Sequence, residues 1–303
     1  MSKTAFLFPG QGAQTVGMGR QVAAQLPRAG ELFSRANEVL GYDLSAVCFD
    51  GPAEKLNSTV HSQPGLFVAS LAALEQLSAD RPEAANECAM AAGLSLGEYT
   101  AVVFAGVMDF ETGLRVVQAR GEAMQAAADA VDSGMVSILG LEPDRIAELC
   151  EQVRADGEVL RTANLLCPGN TVVSGHSTAC QRVAEAADAA GAMKTIPLAV
   201  AGAFHTPLME SAVARLTAAL ADADLKPPRI PVVSNVDAQA HTDPDEIREL
   251  LIQQVVSPVR WEDSMRAMLS AGVDQFVEIG PGRVLRGLLR RVDRRISCEN
   301  VGC

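Results

Sequence analysis

The sequence predicts an α/β fold in which a large α/β-hydrolase-like lobe, built on a mainly parallel sheet, carries a small inserted ferredoxin-like lobe. Over most of the chain, short apolar segments alternate with segments of helical spacing, the order expected for a parallel sheet covered by helices. Between residues 132 and 200 the predicted order becomes βαββαβ, which is the ferredoxin-like pattern. We therefore assign residues 1–131 and 201–303 to the large lobe and residues 132–200 to the inserted lobe.

The elements of the large lobe follow from apolar periodicity and from glycine and proline stops. Pro9 and Gly10 end the first apolar segment, and a glycine-rich turn follows. The predicted elements are, in chain order, a strand at residues 4–8, helices at 20–26 and 64–77, a buried strand at 87–93, a buried helix at 98–106, and strands at 228–236 and 273–280.

The inserted lobe follows from the same signals. Pro143 and Asp144 mark the start of its first helix, and Gly191 marks the end of its second. Its predicted elements are a strand at residues 135–141, a helix at 142–155, strands at 159–165 and 171–176, a helix at 177–191 and a strand at 193–200.

Composition excludes several classes of protein. The 303 residues are 48% hydrophobic with few aromatics, so a core of small and aliphatic side chains can form without metals or disulfides. The seven cysteines are odd in number and form no C-x-x-C pair, which argues against a disulfide framework or a zinc site and favours a reducing compartment. The net charge of −12 disfavours nucleic acid as a partner.

The sequence also predicts a cytoplasmic protein that does not enter a membrane. No apolar run approaches the ~20 residues that a bilayer crossing needs. Residues from Met1 to Thr4 lead directly into a short apolar segment, without the longer apolar region and cleavage site of a signal peptide.

The strongest chemical motif is the pentapeptide from Gly93 to Gly97, which matches G-x-S-x-G between a predicted strand and a predicted helix. A sharp strand-to-helix turn strains the central serine, and the flanking glycines permit a close approach of the backbone. The helix N-terminus favours a developing oxyanion through its free N–H groups and its dipole. Ser95 is therefore the candidate nucleophile, and a structural turn is the alternative in a chain with 25 glycines.

A serine nucleophile needs a base, and the chain has four histidines. His241 lies in a polar stretch typical of a surface, His61 precedes a predicted helix, and His176 ends a predicted strand; the latter two could be capping or core residues. His205 follows the last strand of the inserted lobe in a loop containing glycine and proline, where catalytic groups are often found. His205 is the favoured base, although the pattern alone leaves the others open.

At these residues the chain resembles the malonyl-CoA:acyl carrier protein transacylases and the related acyltransferase domains of polyketide and fatty-acid synthases. The resemblance covers approximately residues 6–289 and rests on seven ordered motifs: FPGQGAQ, GLSLGEY, RG-x-x-M, GAFHTPLM, SNVDA, SPVRW and EIGPGRVL. It implies ping-pong transfer of a malonyl group from malonyl-CoA to the phosphopantetheine thiol of acyl carrier protein, without a metal or redox cofactor.

The resemblance also implies roles for individual residues. Ser95 would carry the acyl group as an ester, and His205 would be the general base. The backbone carbonyl of Gln254 would orient the imidazole in place of a carboxylate. The backbone N–H groups of Gln11 and Leu96 would form the oxyanion hole.

The choice of acyl group is assigned to three further residues. By resemblance, Arg120 would clamp the free malonyl carboxylate with its planar guanidinium, although by pattern alone it reads as a helix-surface arginine. Gln63 would line the site. Phe204, beside the base, should leave little room for a branch on the malonyl α-carbon, so we expect malonyl to be preferred over methylmalonyl.

Two positions depart from the family pattern. Leu94 stands where most members have histidine, which removes a polar neighbour of the nucleophile. Leu166 replaces an asparagine that is common in the family, although Asn164 remains. The departures put the polarity of the pocket in question, but leave the serine and the histidine in place.

Arginines are concentrated near the C-terminus: Arg283, Arg286, Arg290, Arg291, Arg294 and Arg295. They fit either a solvated terminal helix or a docking patch for acidic acyl carrier protein around Arg286 and Arg290. Other functions remain as alternatives: the same chemistry in a polyketide or malonate decarboxylase pathway, a serine hydrolase or lipase, and a non-catalytic module that binds a carrier protein.

Overall fold

The computed structural model describes residues 3–303, and Met1 and Ser2 lie outside the described residues. The strands are β1 Thr4–Phe8, β2 Cys88–Gly93, β3 Ser133–Leu139, β4 Leu160–Cys167, β5 Asn170–His176, β6 Lys194–Pro197, β7 Val232–Val233, β8 Ala240–His241, β9 Val259–Arg260, β10 Gln275–Ile279 and β11 Ser297–Val301. The helices are α1 Arg20–Gln25, α2 Pro27–Leu40, α3 Leu44–Asp50, α4 Ala53–Asn57, α5 Thr59–Asp80, α6 Ala84–Glu87, α7 Leu96–Phe104, α8 Phe110–Asp129, α9 Pro143–Val153, α10 Ser177–Ala189, α11 Glu210–Ala221, α12 Pro244–Gln254, α13 Trp261–Ser270 and α14 Val284–Val292, with a 3-10 turn at Pro207–Met209.

The large sheet has the strand order β11-β10-β1-β2-β7-β8. The strands from β11 to β7 pair in parallel, and only the last pair described, β7 with β8, is antiparallel. The carboxyl ends of parallel strands meet at one edge of a sheet, where ligands commonly bind in such folds. The loops that follow β1, β2 and β7 therefore converge at this edge.

The packing of aromatic rings fixes the helix that follows β2 against the sheet. Phe104, at the end of α7, packs its ring 5.1 Å from that of Phe6 and 5.6 Å from that of Phe8, both on β1. Each buried phenylalanine contributes about 1.5–3 kcal/mol relative to an exposed one. Because β1 pairs directly with β2, this packing sets the direction in which α7 leaves the sheet.

The small sheet has the order β6-β3-β5-β4-β9. The strand β5 lies between β3 and β4 and runs antiparallel to both, and β6 pairs antiparallel with β3, as expected for a split βαββαβ unit. Helices α9 and α10 cover this sheet through an apolar cluster that includes Ile138, Ile146, Val173 and Val183.

The short strand β9 extends the small sheet at its β4 edge. β9 pairs in parallel with β4, placing Asn164 opposite Val259. Next to this pair, the Arg260 N–H donates to the Asn235 carbonyl at 2.8 Å. The main chain therefore ties the two sheets together beside the carboxyl edge of the large sheet.

The predicted fold class is confirmed, and the structure corrects three local predictions. The strand predicted at residues 228–236 is limited to β7, Val232–Val233. Helix α5 begins at Thr59, five residues before Pro64, although proline normally marks a helix start because it lacks a backbone N–H. His61 consequently lies in the first turn of α5 and not before it, with Nδ1 2.8 Å from Ser58 Oγ.

Within residues 3–303, no helix combines the length and apolarity needed to cross a membrane.

Candidate active site

Ser95 lies at the turn between β2 and α7 with φ 50° and ψ −104°. This left-handed φ is unfavourable for a residue with a side chain, so the surroundings must hold the turn in place. A Cβ atom at Gly93 would lie 1.9 Å from the Gly97 carbonyl carbon, and one at Gly97 would lie 2.0 Å from the Phe8 oxygen. Both glycines of G-x-S-x-G are therefore required by the close contact between α7 and the ends of β2 and β1.

Asn235, in the loop after β7, holds the two sides of this turn. Its Oδ1 accepts a hydrogen bond from the Ser95 N–H at 2.7 Å, and its Nδ2 donates to the Gly93 carbonyl at 2.8 Å. Sequence reasoning assigned no role to Asn235, although it lies in the SNVDA motif. The signal was weak because asparagine is common in loops for local reasons.

The structure brings Ser95 and His205 together. Ser95 Oγ lies 2.9 Å from His205 Nε2, and His205 Nδ1 lies 2.8 Å from the Gln254 carbonyl oxygen. A carbonyl only accepts, so Nδ1 carries the proton and Nε2 is free to accept the serine hydrogen. The arrangement has the geometry of a nucleophile, its base and an orienting group.

The surroundings of His205 disfavour its protonated form. Burial and the positive charge of Arg120 lower the pKa of His205 to about 4, against the raising effect of the Gln254 and Ser257 backbone. The imidazole is therefore neutral at physiological pH. A base that accepts a proton from serine must begin in this state.

The other three histidines have local structural partners. His61 contacts Ser58, as described above, and His176 Nδ1 accepts a hydrogen bond from the Val159 N–H at 2.9 Å. The His241 ring lies between two carboxylates, 2.9 Å from Asp237 Oδ2 and 3.1 Å from Glu246 Oε2. Among the four, His205 is the one beside Ser95.

Arg120 is 1% exposed, so its interpretation as a helix-surface arginine is wrong. It projects from α8, with Nη2 2.9 Å from Ser95 Oγ and 2.9 Å from Gln254 Oε1, and Nη1 2.7 Å from Gln63 Oε1. The guanidinium carbon lies 5.0 Å from the centre of the Tyr99 ring. Its Nε has no hydrogen-bond partner within the described part of the chain. A fixed positive charge with spare donor capacity therefore lies beside Ser95, where an anionic group can bind.

Gln11 and Leu96, the two residues expected to donate to an oxyanion, lie in the wall of the same cavity as Ser95. Leu96 is the first residue of α7, and the first N–H groups of a helix lack intrahelical acceptors. The Ser95 N–H is itself bonded to Asn235, so an oxyanion must use neighbouring N–H groups.

The cavity at Ser95 has a volume of about 90 Å³. Apolar side chains dominate its wall, and Asn164 contributes the amide from the small sheet. The lining comprises Gln11, Gln63, Leu94, Ser95, Leu96, Arg120, Met124, Met135, Asn164, Leu198, Val200, Phe204 and His205. Leu166 instead packs against apolar core residues.

Over residues 3–303 no group of three or more histidine, cysteine or acidic side chains could hold a metal ion.

Glu98 is a second residue that sequence reasoning missed. It is 2% exposed, and its Oε2 lies 2.6 Å from Gln254 Nε2. The motif GLSLGEY contains this glutamate, but the sequence does not show that a residue 156 positions away would reach it.

Comparisons with known proteins agree with this geometry. The model of the family described as "Acyl transferase domain" matches residues 5–297. The malonyl CoA-acyl carrier protein transacylase of Bacillus subtilis (strain 168) is 42% identical over 297 residues, which cover 98% of this chain and 92% of the relative.

Solved structures are similar over almost the whole chain. The malonyl CoA-acyl carrier protein transacylase from Coxiella burnetii has a TM-score of 0.94 at 37% identity, covering 99% of this chain and 94% of its own. A malonyl-transacylase in complex with its type II PKS acyl-carrier protein has a TM-score of 0.94 at 39% identity, covering 99% and 96%.

Proposed function

Because the chain belongs to the acyl transferase domain family, we propose that Ser95 carries a malonyl group between malonyl-CoA and acyl carrier protein. The enzyme transfers malonyl from malonyl-CoA to acyl carrier protein, which the names of its relatives support. We propose that the phosphopantetheine thiol is the acceptor and that the reaction supplies fatty acid synthesis.

In the first half-reaction, Ser95 Oγ attacks the thioester carbonyl carbon while His205 Nε2 takes the hydroxyl proton. The C–O bond forms, the C–S bond breaks, and the imidazolium returns the proton to the departing coenzyme A sulfur. In the second half-reaction the carrier thiol gives its proton to His205 and its sulfur attacks the ester carbonyl carbon. The C–S bond forms, the C–O bond to Ser95 breaks, and the imidazolium returns the proton to Ser95 Oγ. The Gln254 carbonyl, 2.8 Å from Nδ1, stabilises the imidazolium in both halves.

The N–H groups of Gln11 and Leu96 are proposed to bind the oxyanion of each tetrahedral intermediate. Donors aligned in advance are worth more than water because they need no reorganisation when the charge develops. The position of both residues at the cavity that holds Ser95 supports this role.

One observation carries the choice of acyl group: the Arg120 guanidinium lies 2.9 Å from Ser95 Oγ and is 1% exposed. A buried charge is costly unless an opposite charge or good acceptors compensate it, so the site favours an acyl group that bears a carboxylate. A serine hydrolase or lipase acting on neutral esters has no use for this charge. Gln63, bonded to Nη1, supports the orientation of the guanidinium.

We also propose that acidic acyl carrier protein docks on the C-terminal arginines. Arg286 and Arg290 are one turn apart on the exposed face of α14. Helix α14 follows β10 at the same edge of the sheet where β2 ends before Ser95. This position supports a patch that brings the carrier arm to the cavity.

Two further proposals concern organisation and location. Residues 132–200 form the inserted lobe and residues 1–131 and 201–303 the catalytic lobe; the order of strands in the two sheets supports this division. The protein acts in the cytoplasm, which its cysteine content supports.

The test is incubation with malonyl-CoA followed by measurement of the intact protein mass. We expect a malonyl-sized adduct that is absent in Ser95→Ala and that disappears from the wild-type protein when phosphopantetheinylated carrier protein is added. An adduct undiminished in Ser95→Ala would show that another residue is the nucleophile.

A further inference from the structure

Glu98 is a buried carboxyl group that the steps of acyl transfer do not use. It is the third residue of α7, and its Oε2 accepts hydrogen bonds from Gln254 Nε2 at 2.6 Å and from the Asn235 N–H at 3.1 Å. Burying a carboxyl group is unfavourable unless its partners compensate the cost. Its partners therefore indicate what it does.

Glu98 does not cap the N-terminus of α7. A glutamate at the third helical position often accepts the N–H of the residue that precedes the helix. Here that residue is Ser95, and its N–H donates to Asn235 Oδ1 instead. The Glu98 side chain is directed towards Gln254, so a capping role does not explain it.

The Gln254 side-chain amide has different partners at its two ends. Its Nε2 donates to Glu98 Oε2 and, at 3.0 Å, to the Ser95 carbonyl, whereas its Oε1 accepts from Arg120 Nη2 at 2.9 Å. A carboxylate only accepts, and a guanidinium only donates. The amide can therefore satisfy both neighbours in one orientation only.

Through Gln254, Glu98 is linked to both functional groups of the site. The main-chain carbonyl of Gln254 accepts from His205 Nδ1, and its side-chain oxygen accepts from Arg120. We propose that Glu98 is a positioning residue: its carboxylate holds the Gln254 amide in the orientation that presents an acceptor to Arg120, and thereby fixes the guanidinium and the imidazole relative to Ser95. This inference rests on the proposed function, since it assumes that these groups act on a malonyl ester.

The charges around Glu98 fit this role. Arg120 of α8 attracts the carboxylate, His205 is the titratable group on the opposite side of Gln254, and Tyr99 is the neighbour on α7 itself. Burial raises the pKa of Glu98 to about 7, against the lowering effects of Gln254, the Asn235 backbone, Ser234 and Arg120. The protonation state of Glu98 can therefore change near neutral pH.

The experiment measures the rate of Ser95 acylation by malonyl-CoA in a single turnover, without carrier protein. Glu98→Gln should slow acylation by about 10- to 100-fold, because the amide that replaces the carboxylate can donate as well as accept and no longer fixes the Gln254 side chain. In the wild-type protein, ionisation of Glu98 should make the acylation rate increase with pH. This increase should be absent in Glu98→Gln.

Glu278 provides a matched control. It is a buried carboxyl group whose two oxygens accept the Leu285 and Arg286 N–H groups at 2.9 Å, remote from Gln254 in the hydrogen-bond network. Glu278→Gln should lower the unfolding temperature but leave the acylation rate and its pH profile at wild-type values.

A double-mutant cycle separates positioning from a general loss of structure. Gln254→Met removes the amide but keeps the main-chain carbonyl that binds His205, and it leaves Glu98 unchanged. It should slow acylation about as much as Glu98→Gln, and the second substitution should add less than about twofold to the first.

The inference is overturned if Gln254→Met or Glu98→Gln acylates at the wild-type rate, or if their effects multiply. A wild-type acylation rate in Gln254→Met overturns the inference even where Glu98→Gln does not fold. If the wild-type protein itself gains no malonyl adduct, the proposed function fails. If the wild-type protein is acylated and both variants are acylated at the same rate, only the positioning role of Glu98 is refuted, and the proposed function stands.

Discussion

The guanidinium of Arg120 lies 2.9 Å from the hydroxyl of Ser95, so the group proposed to select the acyl chain contacts the group proposed to react with it. The same charge lowers the pKa of His205. A malonyl carboxylate bound to Arg120 would offset this charge and make the imidazole a stronger base. In the proposed mechanism, recognition of the substrate and activation of the nucleophile would therefore be coupled.

Arg120→Ala should lower kcat/KM for malonyl-CoA by about 100-fold or more, because two charge-assisted hydrogen bonds are lost. It should also raise the pKa of His205 and move the acidic limb of the acylation pH profile to higher pH. Arg120→Lys is the control: it keeps the charge without the planar fork, so the pH profile should stay while affinity falls. Unchanged malonyl kinetics in Arg120→Ala would refute the clamp.

Asn235→Ala should destabilise the protein by about 1–3 kcal/mol, since it leaves the Ser95 N–H and the Gly93 carbonyl buried without partners. Acylation of Ser95 should slow as the turn relaxes from its left-handed φ. Urea unfolding and single-turnover acylation measure the two effects. Asn300→Ala removes a comparable hydrogen bond at the surface, to the Gly282 carbonyl, and should change neither; equal effects of the two substitutions would contradict the role of Asn235.

The free energy of unfolding should reveal opposite titrations of His205 and Glu98. The pKa of His205 falls from 6.5 to about 4, so between these values the unfolded chain binds more protons and stability increases as pH rises. The pKa of Glu98 rises from 4.5 to about 7, so the folded protein binds more protons there and stability decreases as pH rises. In the wild-type protein the two slopes largely cancel between about pH 4.5 and 6.5.

Glu98→Gln should expose the contribution of His205. Relative to wild type, its unfolding free energy should increase by about 3 kcal/mol as pH rises from 4.5 to 7, at ~1.4 kcal/mol for each pKa unit. Urea unfolding at a series of pH values measures this difference. His205→Ala should show the reverse trend, and parallel pH curves for all three proteins would contradict the assigned shifts.

Phe204 is predicted to restrict the acyl group to malonyl. Its ring is 5% exposed and lines the small cavity beside His205. Phe204→Ala should raise kcat/KM for methylmalonyl-CoA relative to malonyl-CoA by about tenfold, since one methyl group in a shaped pocket is worth about 1–3 kcal/mol. Equal kcat/KM values for both thioesters in the wild-type enzyme would exclude this steric selection.

Charge reversal on α14 tests the docking patch. Arg286→Glu combined with Arg290→Glu should raise the KM for carrier protein several-fold at low salt, and the difference should shrink as salt increases. Acylation by malonyl-CoA alone should be unaffected. A matched double reversal, Arg145→Glu with Arg154→Glu, changes two exposed arginines at α9 and should leave the KM for carrier protein almost unchanged. If both double variants have the same KM for carrier protein, the α14 arginines are only solvated and do not form a docking patch.

The sequence predicted the fold class and the elements that carry Ser95 because those signals are local. An apolar strand, a G-x-S-x-G turn and a helix are contiguous in the chain, and the βαββαβ order is read from consecutive segments. β8, β9 and β11 were not predicted: β8 and β9 have two residues each, and the polar sequence of β11 has no apolar alternation. Their pairing depends on neighbouring strands.

The site was predicted less completely because its support comes from distant segments. Asn235 bonds to Ser95 from 140 positions away and Gln254 bonds to Glu98 from 156 positions away, and a single sequence carries no signal for either contact. The burial of Arg120 was also hidden, since the polar residues around it in α8 resemble those of a surface helix.

The pairing of β4 with β9, together with the bond from Arg260 to Asn235, has a consequence for engineering. The inserted segment is not a detachable module. Replacing it with that of a relative would leave β9 without its neighbour unless the substitute presented the same backbone pattern at Asn164. A chimera that exchanges this segment should therefore carry 257–261 along with it, so that the loop holding Ser95 keeps its anchor.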